Sequence, residues 1–201
     1  MTQFKAFLVA IVMSAAGMLA ALPAVAAMDY ATGDMAIGRE DAPVTVIEYA
    51  SMTCPHCAHF HTTTFKAFKE KYIDTGKVRL IFREFPFDQY ALQASMLARC
   101  AGKDRYFGMV DVLFRQQLKW ARSPKPTEEL EKIGRLGGIS KEQFESCLKN
   151  ESLMNQILET RLKGNEEHGI DSTPSFLVNG DKYTGAMSLS EWDDILAKYL
   201  N

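Results

Sequence analysis

Val44-Thr45-Val46-Ile47-Glu48-Tyr49-Ala50-Ser51-Met52-Thr53-Cys54-Pro55-His56-Cys57 decides how this 201-residue chain folds. A nearly continuous apolar, β-branched run leads into two cysteines two residues apart. Such a run predicts a central strand buried on both faces, opened here by Ala42-Pro43. After it, Pro55 suits a first helical turn, where its missing N–H costs nothing. Phe60, Phe65, Phe68 and Tyr72 include i+3 and i+4 spacings and mark the buried side of a helix over about 55–75, ended by Gly76. Cys54 is therefore expected where a strand turns into a helix, with unpaired backbone N–H groups pointing at its sulfur. The thiolate is the reactive form of cysteine, and that location favours it.

Outward from this stretch, Lys77 to Phe85 reads as the next strand, stopped by Pro86. Strand, helix and strand make a βαβ unit, so the two strands should be parallel. Residues 88–168 carry no strand pattern and predict helices over 89–101, 103–120, 126–136, 140–149 and 151–168. Breaks fall at Gly102, Ser123-Pro124-Lys125-Pro126, Gly137-Gly138 and Asn150. Ser140 with Gln143 has the spacing of a capping box. Strand chemistry returns at Ser175–Val178. Asn179-Gly180 then makes a two-residue hairpin turn, and Lys182-Tyr183-Thr184 is the return strand. Ser188 caps a last helix, Leu189–Tyr199. Residues 28–42 read as a lead-in with one short edge strand. The fold class is α/β: a central mixed sheet built from βαβ plus ββα, with an all-helical insertion. One domain is expected over 27–201, with 27–87 and 169–201 flanking the insertion at 88–168.

The first residues follow another logic. Lys5, an apolar run from Phe7 to Leu22, and Ala24-Val25-Ala26-Ala27 form a secretory signal peptide over 1–26. The run of about 16 residues is short of the roughly 20 that a spanning helix needs, although a retained anchor is the alternative. The implied compartment is oxidising, where cysteines tend to pair. Cys54 and Cys57 pair by proximity, leaving Cys100 with Cys147; two buried free thiols are the other possibility. A formal charge of −2 without a basic cluster gives no footprint for nucleic acid.

Cys54 is the expected nucleophile and Cys57 the resolving thiol. His56, as a cation or ring donor, would further favour the Cys54 thiolate, and Pro55-His56 points toward an oxidant. Zinc held by Cys54, Cys57, His59 and His61 is the rival reading. On a helix, however, His59 and His61 face about 200° apart, so no metal is expected. His59, His61 and His168 then read as ordinary surface or semi-buried histidines. Thr173-Pro174 opens the strand after the insertion; a cis bond there would expose the Thr173 backbone to an extended substrate. Glu48, a carboxylate in a central strand, could take up or deliver the proton of Cys57. Met52 and Met187 read as gap-fillers in the core.

Three stretches, Gly38–Tyr49, Thr53–Cys57 and Thr173–Gly180, resemble the DsbA-type branch of the thioredoxin superfamily. The resemblance covers essentially the whole chain after the signal peptide. It implies a thioredoxin fold and periplasmic transfer of a disulfide to reduced, newly exported polypeptides. It also implies reoxidation by a quinone-linked membrane partner of the DsbB type. By position, Cys54 attacks, Cys57 resolves, Pro174 is the cis proline and Glu48 the buried acid. Where the best-studied member has a valine before that proline, Thr173 stands here, as in isomerase-like relatives. The lysine that pairs with the buried acid has no counterpart; Phe82 takes its place, with Arg79 and Arg83 nearby. The pair Cys100 and Cys147 is similar to a disulfide of the α-proteobacterial members. A monomer without a cofactor is expected. An isomerase or reductase of the same fold, or a peptide-binding chaperone with a structural cysteine pair, are the alternatives.

Overall fold

The computed structural model describes residues 32–200, so the signal-peptide expectation for 1–26 lies outside the described residues. The quoted run forms β2 (Val44–Ala50), the middle strand of a five-stranded sheet. With β1 (Met35–Ile37), β3 (Val78–Glu84), β4 (Ser175–Val178) and β5 (Asp181–Thr184), the order is β1-β3-β2-β4-β5. β2 and β3 are parallel, as the βαβ reading requires, with Glu48 opposite Phe82. The other pairings are antiparallel, and β4 sets Phe176 beside Glu48 from the other side. This is a thioredoxin fold with a helical insertion.

Burial of β2 is less complete than its sequence suggests. Val44 and Val46 are fully covered, but Thr45 and Ile47 on the opposite face are only half-buried. That face is sealed only at its far end, where Tyr49, Phe85, Ile170 and Leu177 cluster. The long helix of the insertion closes on it there. A Cβ on Gly164 would lie 2.6 Å from the Tyr49 ring, so the helix needs a glycine at that point.

The helix after Cys54 runs through α1 (Pro55–His59), a wide turn (Phe60–Thr64), α2 (Phe65–Phe68) and a second wide turn (Lys69–Ile73). In the wide turns an N–H reaches five residues back, as from Phe65 to Phe60 and from Asp74 to Lys69. Each adds a residue to the turn and rotates the next side chains. Phe60, His61, Thr64, Phe68, Tyr72 and Ile73 are all buried as a result.

The insertion comprises α3 (Gln89–Cys100), a short 3₁₀ turn (Lys103–Arg105), α4 (Tyr106–Arg115), α5 (Gln117–Ala121), α6 (Pro126–Leu136), α7 (Lys141–Leu148) and α8 (Glu151–His168). The single helix expected over 103–120 is broken at Gln116, whose backbone leaves helical geometry. The break turns Gln117 and Trp120 inward; the indole N–H donates to the Leu113 carbonyl at 2.8 Å. Ser140 and Gln143 form the capping box. Cys100 and Cys147 are joined, tying α3 to α7. A buried Arg99 grips Glu84 at the end of β3 through two 2.6 Å bonds, and Tyr106 donates to the same carboxylate at 2.7 Å. α9 (Leu189–Leu200) packs Trp192 against Phe60, Phe68 and Phe176.

Candidate active site

Cys54 occupies the cap position before α1 with extended backbone. The first helical turn leaves its N–H groups without intrahelical partners, and those of His56 and Cys57 are spent on the Cys54 sulfur. Both cysteines are unbridged in this state. Cys54 is 9% exposed and Cys57 not at all. The two thiols are nevertheless shifted in opposite directions. The Cys57 thiol, donating to Cys54, holds Cys54 down at about 5; desolvation opposes this, and the Thr173 side chain and the two backbone amides assist. Cys57 is pushed well above the ordinary thiol range, first by burial and then by Cys54 itself. The shifts favour ionisation of the slightly exposed Cys54 sulfur and keep the fully buried Cys57 sulfur neutral.

Thr173 and Pro174 come back beside this pair across the sheet. Their peptide bond is cis. The Cys54 thiol donates to the Thr173 carbonyl at 3.2 Å. The Thr173 hydroxyl is buried without a hydrogen-bond partner of ordinary geometry, yet it is near enough to favour the thiolate form of both sulfurs.

The helical insertion fixes the loop from the other side. Gln117 Nε2 donates to the carbonyls of Met52 at 2.8 Å and Cys54 at 2.9 Å. Thr53 Oγ1 donates to Asp88 Oδ2 at 2.6 Å, while Asp88 Oδ1 caps α3 by accepting from the amides of Tyr90 and Ala91. A cavity of about 180 Å³ opens beside Pro55 between Tyr90, Leu118 and Arg122. Larger cavities of about 370, 460 and 490 Å³ border other parts of the surface, so chemistry rather than size locates the site. Glu48, whose charge helps to raise the Cys57 thiol, is fully buried and His61 is 4% exposed; the imidazole Nε2 lies 2.9 Å from Glu48 Oε1.

A thioredoxin family model matches residues 31–198. Wolbachia pipientis alpha-DsbA1 superposes with a TM-score of 0.79 at 31% identity, over 86% of this chain and 94% of that one. The chain belongs to the thioredoxin family, in its DsbA-type branch. A Rickettsia bellii protein with the provisional name protein-disulfide oxidoreductase is 40% identical over 148 residues, 73% of this chain and 57% of that protein. Disulfide bond formation protein D of Bacillus subtilis is 28% identical over 177 residues, 81% of this chain and 74% of that one. The match thus spans little more than half the length of the Rickettsia relatives.

Within this DsbA-type site the expected residues fall as follows. Cys54, Pro55, His56, Cys57, Thr173 and Pro174 converge at the helix start. The His56 ring is exposed, and its backbone amide is the part that acts on Cys54. Phe82 lies opposite Glu48, while Arg83 is committed to Asp34 and Tyr49. Met52 and Met187 are core residues. His59 and His168 are exposed. The reading of His61 as an ordinary surface or semi-buried histidine is wrong. The first wide turn and its position one turn beyond Cys57 carry it inward to Glu48, away from His59.

Sequence reasoning missed three residues. His61 had a usable signal: it is four residues from Cys57 and so shares its helix face. Asp88 was readable as a helix cap but not as a partner of Thr53. Gln117 had none, because its role depends on a loop 63 residues earlier in the chain.

Proposed function

We propose that this chain is a thiol:disulfide oxidoreductase that donates the Cys54–Cys57 disulfide to reduced, exported polypeptides. The observation that carries the reading is the opposed ionisation of the two thiols, with Cys54 at about 5 and Cys57 pushed up. A stabilised Cys54 thiolate favours the reduced pair, which makes the oxidised pair a disulfide donor.

A substrate thiolate attacks Cys54 Sγ, forming a mixed disulfide as the bond to Cys57 breaks. Cys57 leaves with the electron pair. A second substrate thiol then attacks the mixed disulfide, releasing oxidised substrate and the Cys54 thiolate. Pro55 starts the helix, and the His56 backbone amide favours the Cys54 thiolate. Thr173 and Pro174 hold the substrate backbone against Cys54, and Glu48 handles the Cys57 proton. Residues 27–201 act as one monomeric domain, with 88–168 covering the redox pair and the Cys100–Cys147 disulfide stapling that cover. The site belongs in the periplasm after removal of residues 1–26. A quinone-linked membrane oxidase of the DsbB type would restore the disulfide.

Ultraviolet titration of Cys54, combined with equilibration of the pair against glutathione, tests this. A low thiol pKa with a potential near or above the glutathione poise is expected. A thiol titrating near 8 with a strongly reducing pair overturns it.

A further inference from the structure

The exposed apolar side chains of this protein are not scattered. Among the described residues five large ones are exposed: Phe87, Leu118, Leu136, Leu158 and Leu162. Leu118 borders the small cavity beside Pro55, and Phe87, Leu158 and Leu162 all line the cavity of about 460 Å³. Leu136 lines neither. Single exposed apolar residues are ordinary on a protein surface, but three converging on one groove mark a place that covers something apolar.

The groove lies between α8 and the segment that follows β3, outside the redox pair itself. Leu158 and Leu162, one helical turn apart, line it from α8, and Phe87 lines it from that segment. Phe85 and Ile170, both buried, form its floor. That floor is fixed before anything binds. The Arg161 guanidinium lies over the Phe85 ring at 5.5 Å, and Asn165 Nδ2 donates to the Ile170 carbonyl at 2.9 Å. Two lines of chain lead from the groove to the active loop. Phe87 precedes Asp88, which holds Thr53 at 2.6 Å. Asp171, on the rim, stands two residues before Thr173, whose carbonyl meets the Cys54 thiol at 3.2 Å. Two extended residues span at most about 7 Å, so a strand held against Cys54 needs only about two to four more residues to reach the groove.

We propose that the groove between α8 and Phe87 is a specificity pocket for the polypeptide being oxidised, taking one large aliphatic or aromatic side chain about two to four residues from the cysteine that attacks Cys54. This role rests on the oxidoreductase reading above and adds a second point of recognition to the backbone contact at Thr173. The chemistry selects the occupant. Cys54 reacts with any accessible thiolate, and the Thr173 carbonyl accepts from any backbone amide. Neither separates an unfolded chain with exposed apolar residues from a hydrophilic one. The groove does, because large apolar side chains are accessible in a chain that has not yet folded and covered in one that has. Its walls offer apolar contact from Phe87, Leu158 and Leu162. Its charged rim residues, Arg161 and Asp171, are of opposite sign and give no preference for a charged partner. With the floor already held in place, little ordering opposes entry of the side chain.

The test uses the oxidised full chain and two-cysteine peptides that differ only in a Phe, Leu or Ser placed about three residues outside the cysteine pair, before or after it. Acid quenching and mass spectrometry count the peptide disulfide and give second-order rate constants. On one side of the pair, the Phe and Leu peptides should react about 10-fold faster than the Ser peptide, the discrimination that one apolar side chain in a pocket supplies. Leu158→Ser/Leu162→Ser should bring all three peptides to the Ser rate. Dithiothreitol, too small to reach from Cys54 to the groove, should react with that variant at the wild-type rate. Phe87→Ser removes the opposite wall from a different element and should act in the same direction, whereas Leu136→Ser, on α6, should change no rate. Equal wild-type rates for the Phe, Leu and Ser peptides, or a loss in the α8 variant that is shared by dithiothreitol, overturn the pocket and leave the oxidoreductase reading standing. A wild-type dimer in sedimentation that Leu158→Ser/Leu162→Ser dissolves assigns the groove to a second copy and overturns it as well. If the wild-type chain oxidises neither the peptides nor dithiothreitol, the oxidoreductase reading falls, and the pocket with it.

Discussion

Acidification should weaken the reduced protein selectively, and Cys54 sets the range. Its pKa falls from the ordinary 9.0 to about 5 on folding. A thiol lowered in this way stabilises the fold fully above the unfolded value and loses that contribution as pH falls through the folded one. The window therefore runs from pH 9 down to pH 5. Cys57 is shifted upward and stays protonated throughout it, so it adds no slope. Each pH unit is worth at most about 1.4 kcal/mol, so the two units between pH 7 and 5 carry at most about 2.7 kcal/mol. The sulfur sits at a helix start that substrate and solvent must reach, and screening there lowers the figure to about 1–2 kcal/mol. For a two-electron couple this favours the reduced state by about 20–40 mV at neutral pH. The oxidised protein has no thiol to titrate and serves as the control. Urea unfolding of both forms at a series of pH values gives the reduced-minus-oxidised stability, which should rise by about 1–2 kcal/mol between pH 5 and 7. Thiolate absorbance should show its midpoint at the same place, and Cys54→Ser should abolish the slope. A flat difference over this range, or thiolate absorbance appearing only above about pH 8, refutes the assignment of Cys54 as the stabilised thiolate.

Further outcomes follow from contacts outside the pair. Gln117→Leu leaves the buried Met52 carbonyl without its side-chain donor and should cost about 1–3 kcal/mol in urea midpoint stability. A cost indistinguishable from zero would mean that Gln117 does not hold the loop. Cys100→Ala with Cys147→Ala opens a cross-link spanning 47 residues and should cost up to about 4 kcal/mol by chain entropy, read from the denaturant midpoint. A loss below about 1 kcal/mol would show that the cross-link does not constrain the unfolded chain. Arg99→Met strands Glu84 in the interior and should cost about 3–5 kcal/mol, far more than removing an exposed partner such as Lys132. Equal effects in thermal unfolding would contradict the buried pairing.

Much of the fold was legible because local patterns and global architecture agree. The β-branched run, Pro55 at a helix start, Asn179-Gly180 at the hairpin and the capping box at Ser140 each carry a short-range physical signature. The helical insertion was readable in outline, but its division at Gln116 was not. Residues on either side are acceptable helix formers, and the break is imposed by what Gln117 and Trp120 reach inside. Helical periodicity failed in a similar way between Phe60 and Ile73. Regular spacing does not anticipate a turn with an added residue, and two such turns set which side chains are buried.

The sequence alone placed two thiols at a strand–helix junction and a carboxylate in the strand before them. That much follows from residue order, since neighbours in the chain remain neighbours in the fold. Only the tertiary structure decided what surrounds them. It joined Gln117 and Asp88 of the insertion to the active loop, brought Thr173 onto the Cys54 sulfur, and turned His61 onto Glu48. These contacts join residues up to 119 positions apart. The pKa values of the two cysteines depend on burial and on such contacts, so identical thiols three residues apart come to titrate in opposite directions.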